Sequence, residues 1–213
     1  TNILFVGRVA PNKKIEDLIK VTFYYKKYIS PLVRLIIVGK TSSLPRYYES
    51  LIHLADDFLL QPDEICFTGH VPDEDLLAIY RSADVFLSLS EHEGFCLPLV
   101  ESMVFDVPVL AFGSTAVPDT LGGAGILLDE KKVDRVAELI DIVVNGRDLR
   151  GNVIKGQRER LSQLKTEGRE ATAEAIAEVL APYGYRVVQL DDGYQRSPIG
   201  VPANWLRTNP KFA

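Results

Sequence analysis

Two cationic side chains follow the first strand-like segment of the chain, on a loop that leads towards a helix. The loop runs Gly7-Arg8-Val9-Ala10-Pro11-Asn12-Lys13. Ligands of open parallel sheets bind at the carboxyl ends of the strands, so we expect Arg8 and Lys13 above the edge of a sheet. A guanidinium and an ammonium placed there can hold one diphosphate and stabilise the negative charge that it gains as a leaving group. By itself, such a pair is more often a solvated basic turn, and it indicates a phosphate site only when joined to another motif.

A second loop carries a glycine just before a helix. The sequence Glu91-His92-Glu93-Gly94-Phe95-Cys96-Leu97 follows a strand-like segment and precedes a helix that we expect to begin near Pro98. The first N–H groups of a helix have no partner inside it, and they attract anions. The backbone of residues 94–97 can therefore donate to a phosphate or to a sugar hydroxyl. Gly94 also places no Cβ in the path of such a ligand.

Two acids accompany this loop. Glu93 precedes the predicted helix and Glu101 lies about one turn inside it. An ionised carboxylate accepts two hydrogen bonds, which suits the neighbouring hydroxyls of a ribose or a hexose. Taken alone, Glu93 would serve as a capping acid and Glu101 as an exposed helix residue. The acids indicate sugar binding only in combination with the cationic loop.

Short apolar segments alternate with longer segments of helical period along most of the chain. This alternation is typical of parallel βαβ units with helices on both faces of the sheet. The predicted strands are residues 3–7, 34–39, 65–69, 85–90, 107–112 and 125–129. The predicted helices are residues 14–29, 46–58, 73–83, 98–105, 133–145 and 169–180, and the charged residues 146–160 show no such pattern. We therefore expect an α/β fold, a doubly wound, Rossmann-like parallel sheet of about six strands.

The composition limits the classes of partner and compartment. The 213 residues are 46% hydrophobic, enough for a sizeable core, and carry a formal net charge of -5. No dense run of Lys and Arg offsets that charge, which argues against a nucleic-acid partner. Cys66 and Cys96 are not spaced as a zinc site or a disulfide framework, and they suit a reducing cytoplasm. No apolar run reaches the ~20 residues of a membrane span.

Four motifs together carry a family resemblance. They are Gly7-Arg8 with Lys13, Phe67-Thr68-Gly69-His70-Val71, Tyr80-Arg81-Ser82-Ala83-Asp84-Val85, and Glu93-Gly94-Phe95-Cys96-Leu97-Pro98 followed by Glu101. In this order and spacing, residues 2–180 resemble the group 1 (family 4) glycosyltransferases, whose GT-B fold has two Rossmann-like domains facing a cleft. The resemblance is to the C-terminal, donor-binding domain only.

The resemblance implies roles for individual residues. Arg8 and Lys13 would hold the diphosphate of a nucleotide-sugar donor, and Glu93 would lie beside the transferred sugar, so these three are the candidate catalytic residues. Glu101 would bind the ribose hydroxyls, and the loop at His70 would border the base. The candidate donor-binding residues are Gly7, His70, Val71, Gly94, Phe95, Cys96, Leu97 and Glu101.

The same resemblance implies an activity and leaves alternatives open. It implies sugar transfer to an acceptor hydroxyl with retention at the anomeric carbon, without a metal or other cofactor. The acceptor-binding N-terminal domain would be missing, so the chain alone would turn over little, and any peripheral association with a membrane would occur through that domain. One alternative is a nucleotide-sugar epimerase of the same architecture. Another is a non-catalytic donor-binding subunit of a split glycosyltransferase.

Two residues of the loops after the first and fourth predicted strands depart from the family pattern. Cys96 stands where a second glycine is usual, so a ligand can approach the backbone less freely there. Lys14 stands where a glycine is common after the lysine, and its ammonium could compete with Lys13 for the phosphate. Both departures would affect the choice of donor.

The sequence changes in character near Pro182. We expect residues 1–181 to form the donor-binding domain and residues 182–213 to be a foreign or truncated tail. Within the tail, Val187-Val188-Gln189-Leu190-Asp191-Asp192-Gly193-Tyr194-Gln195 resembles the first barrel strand of family 36 alpha-galactosidases. An adjacent pair of aspartates after a strand is also an ordinary turn, so the resemblance of the tail is weak.

Overall fold

Six parallel strands form one sheet. The computed structural model describes the backbone of residues 1–180 and the side chains of residues 1–168. The order of the strands in the sheet is β3-β2-β1-β4-β5-β6, and every pair of neighbours is parallel. The strands are β1 (Asn2–Val6), β2 (Arg34–Val38), β3 (Ile65–Gly69), β4 (Val85–Ser88), β5 (Val109–Phe112) and β6 (Ile126–Leu128).

Helices connect successive strands and cover both faces of the sheet. A short 3-10 turn at Pro11–Lys13 precedes the first of them. The helices are α1 (Ile15–Tyr28), α2 (Pro45–Asp57), α3 (Asp73–Ser82), α4 (Leu97–Val104), α5 (Val117–Leu121), α6 (Val133–Asn145) and α7 (Arg147–Leu180). The sequence-based expectation of a doubly wound α/β fold with six strands is therefore confirmed.

Two hydrophobic cores lie on opposite faces of the sheet. Successive side chains of a strand point to opposite faces, and in β1 Ile3 and Phe5 enter one core while Leu4 enters the other. The first core includes buried residues of α1, α2 and α6, and the second includes those of α3, α4 and α5. Burial on both faces explains why the strands are almost continuously apolar in sequence.

The order of the strands places two loops next to each other. The chain moves outward from β1 to β3, returns to pair β4 with β1, and continues to β6 on the other side. The loops after β1 and β4 therefore leave the same edge of the sheet and diverge to opposite faces, which opens a crevice between them. The β1–α1 loop (residues 7–14) and the β4–α4 loop (residues 89–96) carry the residues that the sequence marked for chemistry.

The structure corrects the prediction for the charged segment after α6. Residues 146–160 lack an apolar period, yet α7 begins at Arg147 and includes most of them. Their Arg, Lys, Glu, Gln and Leu residues favour helix, and polar contacts supplement the few buried apolar side chains, such as Val153. Gln157 is fully buried, accepts a hydrogen bond from the backbone N–H of Val109 at 2.8 Å and donates one to the carbonyl of Val107 at 2.9 Å. Helix α5 was also missed, because five residues are too few to show a period.

Residues Thr1–Gln163 form one compact unit. The expected domain boundary near Pro182 and the tail of residues 182–213 lie outside the described residues, so the alpha-galactosidase resemblance stays untested. Among residues 1–180, no helix combines the length and the apolar character that a bilayer crossing requires.

Candidate functional site

Backbone contacts join the two loops at the centre of the sheet edge. The N–H of Glu91 donates to the carbonyl of Asn12 at 2.8 Å, and the side-chain amide of Asn12 donates to the carbonyl of His92 at 3.2 Å. These bonds hold the β1–α1 loop against the β4–α4 loop where the crevice opens. The two loops that the sequence analysis treated as separate motifs are therefore in direct contact.

An ion pair bridges the two loops. The ammonium Nζ of Lys13 lies 2.6 Å from Oε2 of Glu93, and the two side chains are only 16% and 9% exposed. Such shielding from solvent strengthens the attraction, although it also costs desolvation. Lys13 ends the 3-10 turn that Pro11 begins, and its N–H donates to the carbonyl of Ala10 at 2.9 Å, so the turn positions its side chain.

Lys14 takes part in a separate group of charges. Its ammonium lies 3.2 Å from the Glu91 carboxylate, and that carboxylate also binds Lys131 at 2.7 Å. The hydrogen bond from Lys131, and next the one from Lys14, lower the pKa of Glu91. In this arrangement the ammonium of Lys14 neutralises Glu91, whereas that of Lys13 is directed to Glu93.

Cys96 caps the start of α4 in a left-handed conformation, with φ 54° and ψ 63°. This conformation costs a residue with a Cβ more than it costs glycine, so the cysteine is accommodated with some strain. Burial, and next the negative charge of Glu93, raise the pKa of the thiol to about 12. The thiol is therefore protonated at neutral pH and is not a nucleophile.

The backbone N–H groups of residues 94–97 have no acceptor within residues 1–168. A Cβ built on Gly94 would meet no atom within 4 Å, and its φ lies outside the left-handed range. Phe95 and Leu97 are more than half exposed. Space beside Gly94 is thus open to a ligand, and neither packing nor backbone conformation demands a glycine at position 94.

Hydroxyl groups from the segment after β5 bind the backbone of the β4–α4 loop. Thr115 accepts a hydrogen bond from the N–H of Glu93 at 2.8 Å and donates one to the carbonyl of the same residue at 2.7 Å. The hydroxyl of Thr120 donates to the carbonyl of Phe95 at 2.6 Å, and that of Ser114 donates to the carbonyl of Ser90 at 2.6 Å. The sequence analysis did not assign any of these hydroxyls to the site.

Glu101 is held by a tyrosine. The hydroxyl of Tyr80 donates to Oε2 of Glu101 at 2.7 Å. The Tyr80 ring is buried and stacks on Phe105, with the ring centroids 5.3 Å apart. Burial, and next the hydrogen bond to Glu101, raise the pKa of Tyr80, so its proton stays in place for this bond. Tyr80 belongs to one of the four family motifs, but no pattern in the sequence indicates its contact with Glu101.

Gly7 and Arg8 start the β1–α1 loop beside the loop after β2. A Cβ on Gly39, whose φ is 146°, would lie 2.0 Å from the carbonyl oxygen of Gly7, so the two chain segments can approach only because residue 39 is glycine. Arg8 is exposed, and its guanidinium has no hydrogen-bond or ion-pair partner within residues 1–168. A cation placed so is available for an external anion.

His70 and Val71 lie further along the edge, after β3. His70 is exposed and lines a cavity of about 480 Å³ together with Lys40, Thr41, Ser42 and Gly69. Val71 instead packs against the second hydrophobic core, which leaves its backbone as the part that could reach a ligand. Within residues 1–168, no three His, Cys, Asp or Glu side chains are grouped as a metal ion would require.

Backbone strain is concentrated at this edge. Five non-glycine residues of the described chain have a positive φ, and three of them, Lys14, Cys96 and Thr115, lie on the loops after β1, β4 and β5. Strain of this kind costs about 1–3 kcal/mol per residue and clusters at functional sites. It independently marks the same place as the charges and the free N–H groups.

A family model and two curated relatives that match this chain are all described as glycosyltransferases or mannosyltransferases. The family model described as "Glycosyl transferases group 1" matches residues 1–160. The O-antigen chain mannosyltransferase B of Escherichia coli is 30% identical over 141 residues, 63% of this chain and 34% of that protein. A GDP-mannose-dependent alpha-(1-6)-phosphatidylinositol monomannoside mannosyltransferase of Mycobacterium tuberculosis is 27% identical over 155 residues, 68% of this chain and 39% of that protein. The chain thus spans between a third and two fifths of these two relatives.

Solved structures share the fold. Anabaena Alr3699/HepE, crystallised with UDP and glucose, superposes with a TM-score of 0.70 at 20% identity, over 85% of this chain and 48% of that one. The C-terminal domain of a group 1 glycosyltransferase (LpcC) from Francisella tularensis superposes with a TM-score of 0.64 at 22% identity, over 76% of this chain and 84% of that one. The family match, the strand order and these folds agree, and the chain belongs to the group 1 glycosyltransferases with the GT-B fold.

Proposed function

We propose that this chain is the donor-binding domain of a retaining glycosyltransferase that moves a sugar from a nucleotide-diphosphate sugar to an acceptor hydroxyl. The observation that carries the proposal is the 2.6 Å contact between Lys13 and Glu93. It brings a phosphate-binding cation and a sugar-binding carboxylate to one point of the crevice. In a nucleotide-diphosphate sugar, a phosphate is bonded directly to the sugar. One such ligand would therefore contact Lys13 through its phosphate and Glu93 through its sugar.

The diphosphate would bind between the β1–α1 loop and the start of α4. The guanidinium of Arg8 has no hydrogen-bond or ion-pair partner within residues 1–168. Lys13 faces the β4–α4 loop, where it contacts Glu93. The N–H groups of residues 94–97 have no acceptor within residues 1–168. As the bond between the sugar and the phosphate breaks, negative charge builds up on the departing diphosphate. Fixed cations and backbone dipoles that already surround it lower the barrier, because they need no rearrangement.

Lys13 would change its partner when the donor binds. Without the donor, its ammonium neutralises Glu93 in a largely shielded pair. A diphosphate oxygen would then share or replace this contact, and the Glu93 carboxylate would be released to accept hydrogen bonds from sugar hydroxyls. Glu101, held by Tyr80, would bind the ribose hydroxyls on the other side of the diphosphate. The exposed His70 and its cavity would border the base.

The names of relatives favour particular donors for the first tests. The two relatives described above are named mannosyltransferases, and one name specifies GDP-mannose. Alr3699/HepE was crystallised with UDP and glucose. We propose GDP-mannose as the first donor to test and UDP-glucose as the second. We also propose that no metal is required, and the unpaired thiols of Cys66 and Cys96 support action in the cytoplasm.

The test of the phosphate site is Arg8→Ala. Calorimetric titration of the chain with GDP, UDP and ADP would show which diphosphate binds. Loss of a guanidinium that contacts the diphosphate should weaken that affinity at least about tenfold, since a charge-assisted contact contributes about 1.5–3 kcal/mol. Arg135 on α6 is an exposed arginine outside the loops that follow β1, β4 and β5, and it provides the control. Arg135→Ala should bind as the wild type does.

Two results would contradict the proposal. Equal affinity of Arg8→Ala and the wild type would remove Arg8 from the site, and failure of the wild type to bind any of the three diphosphates would reject donor binding itself. Incubation of the longer protein with GDP-mannose or UDP-glucose alone separates transfer from epimerisation, because an epimerase would alter the sugar without an acceptor. The anomeric configuration of the product, read by NMR, tests retention.

A further inference from the structure

Two threonine hydroxyls determine the direction of the peptide groups that face the proposed phosphate site. Thr115 bonds both the N–H and the carbonyl of Glu93, and Thr120 bonds the carbonyl of Phe95. The peptide bonds of the described residues are all trans, so a carbonyl and the N–H of the next residue point in opposite directions. With these two carbonyls directed to the segment after β5, the N–H groups of Gly94 and Cys96 are directed away from it.

The strand order shows which loop lies on the side opposite to the β5 segment. Strand β4 lies between β1 and β5 in the sheet, and the β4–α4 loop lies between the loops that follow them. A peptide N–H that points away from the β5 side is turned to the side on which the β1–α1 loop lies. Lys13, which contacts Glu93 across this gap, lies on that side. The hydroxyls therefore hold the backbone donors and the cation on the same side.

The backbone of Thr115 is strained in the conformation that makes its hydrogen bonds to Glu93. Thr115 has φ 45°, which is unusual for a β-branched residue. The residue is exposed, so burial in the core does not explain the conformation. Its two hydrogen bonds to Glu93 are the contacts that offset the strain, and both serve the β4–α4 loop.

We propose that Thr115 and Thr120 are positioning residues for the donor site, which hold the backbone of Glu93 and orient the N–H groups of Gly94 and Cys96 towards the diphosphate. The inference rests on the proposed function. Neither threonine touches the donor. They act through the loop, as a fixed set of dipoles that would otherwise have to reorient when the anion binds.

Three substitutions at position 115 test this role in calorimetric titrations with GDP, UDP and ADP. Thr115→Val keeps the β-branched shape and removes the hydroxyl, so the affinity for the diphosphate that the wild type binds should fall about tenfold with the loss of two hydrogen bonds. Thr115→Ser keeps the hydroxyl and should bind within about twofold of the wild type. Thr115→Gly removes the hydroxyl and relieves the strain at φ 45°, so the relieved strain should offset the lost hydrogen bonds, and the variant should fold about as stably as the wild type and still bind weakly.

Thermal unfolding of each variant separates positioning from folding. A weaker affinity in Thr115→Gly at an unchanged or higher Tm, with recovery in Thr115→Ser, is the expected result, and a purely structural residue would not give it. Thr120→Val should also lower affinity by removing the bond to Phe95. If Thr115→Val and Thr115→Gly bind as the wild type does, the inference is overturned while the proposed function stands. If the wild type binds none of the three diphosphates, the proposed function fails and the inference fails with it.

Discussion

Gly94 is a residue whose identity the fold does not explain. Space is open where its Cβ would be, and its φ is not in the left-handed range. An alanine would therefore fit the chain as it stands. In the proposed complex, the same space is occupied by the diphosphate or the sugar, so that a methyl group there would collide with the ligand.

We predict that Gly94→Ala leaves the fold intact and weakens binding. The Tm should match or slightly exceed that of the wild type, because alanine restricts the unfolded chain more than glycine does. The affinity for the bound nucleoside diphosphate should fall at least about fivefold, a little under 1 kcal/mol. Thermal unfolding and calorimetry on the same sample measure the two effects.

Gly156 on α7 is the matched control, since a Cβ there also meets nothing within 4 Å. Gly156→Ala should raise stability by up to about 1 kcal/mol, the helix preference of alanine over glycine, and leave the affinity unchanged. Unimpaired binding by Gly94→Ala would mean that no ligand group comes near this position.

At the scale of elements, α7 depends on a buried glutamine. Gln157 is fully buried and bonds the N–H of Val109 and the carbonyl of Val107, both of which belong to buried residues. A side-chain amide carries a donor and an acceptor side by side, so that one residue can bond both backbone groups. Gln157 thus supplies the hydrogen bonds that a neighbouring backbone would otherwise make at the start of β5.

We predict that Gln157→Leu lowers the free energy of unfolding by about 2–4 kcal/mol. Leucine has a similar volume, but the two backbone groups at the start of β5 would stay buried without partners, at about 1–3 kcal/mol each. Unfolding in urea, followed by circular dichroism, measures the change. The neighbouring Arg158 pairs with Asp106 on the exposed side of the helix, so Arg158→Ala should have little effect. A change in Gln157→Leu no larger than that of Arg158→Ala would show that these bonds do not anchor α7.

The same elements show what the sequence could and could not predict. Six strands were predicted because strands buried on both faces are short and continuously apolar. The start of α7 was not predicted, since Gln157 binds the sheet through hydrogen bonds, which leave no apolar period in the sequence. In the site, Lys13 and Glu93 could be assigned to loops, but their 2.6 Å contact depends on the pairing of β4 with β1. The contacts of Thr115 and Tyr80 likewise join segments that are distant in sequence.

At the scale of the whole molecule, the site occupies an open edge. The crevice between the loops after β1 and β4 leaves Arg8, Phe95 and Leu97 exposed. In the GT-B architecture a second Rossmann-like domain faces this edge, and the chain covers only 34% of the E. coli mannosyltransferase. Binding and transfer should therefore be separable, because binding needs the groups described here, whereas transfer also needs an acceptor held against the sugar and exclusion of water.

We predict that the 213-residue chain binds GDP-mannose or UDP-glucose but transfers no sugar to an acceptor. Calorimetry should detect binding, and product analysis by mass spectrometry should detect no glycoside even at high acceptor concentration. With an acceptor-binding domain joined to it, the chain should transfer sugar, and Arg8→Ala in that two-domain protein should reduce kcat/KM at least about tenfold, since leaving-group stabilisation acts in the transition state. Efficient transfer by the chain alone would show that these loops already hold the acceptor, and the crevice would then have to accommodate both substrates without a second domain.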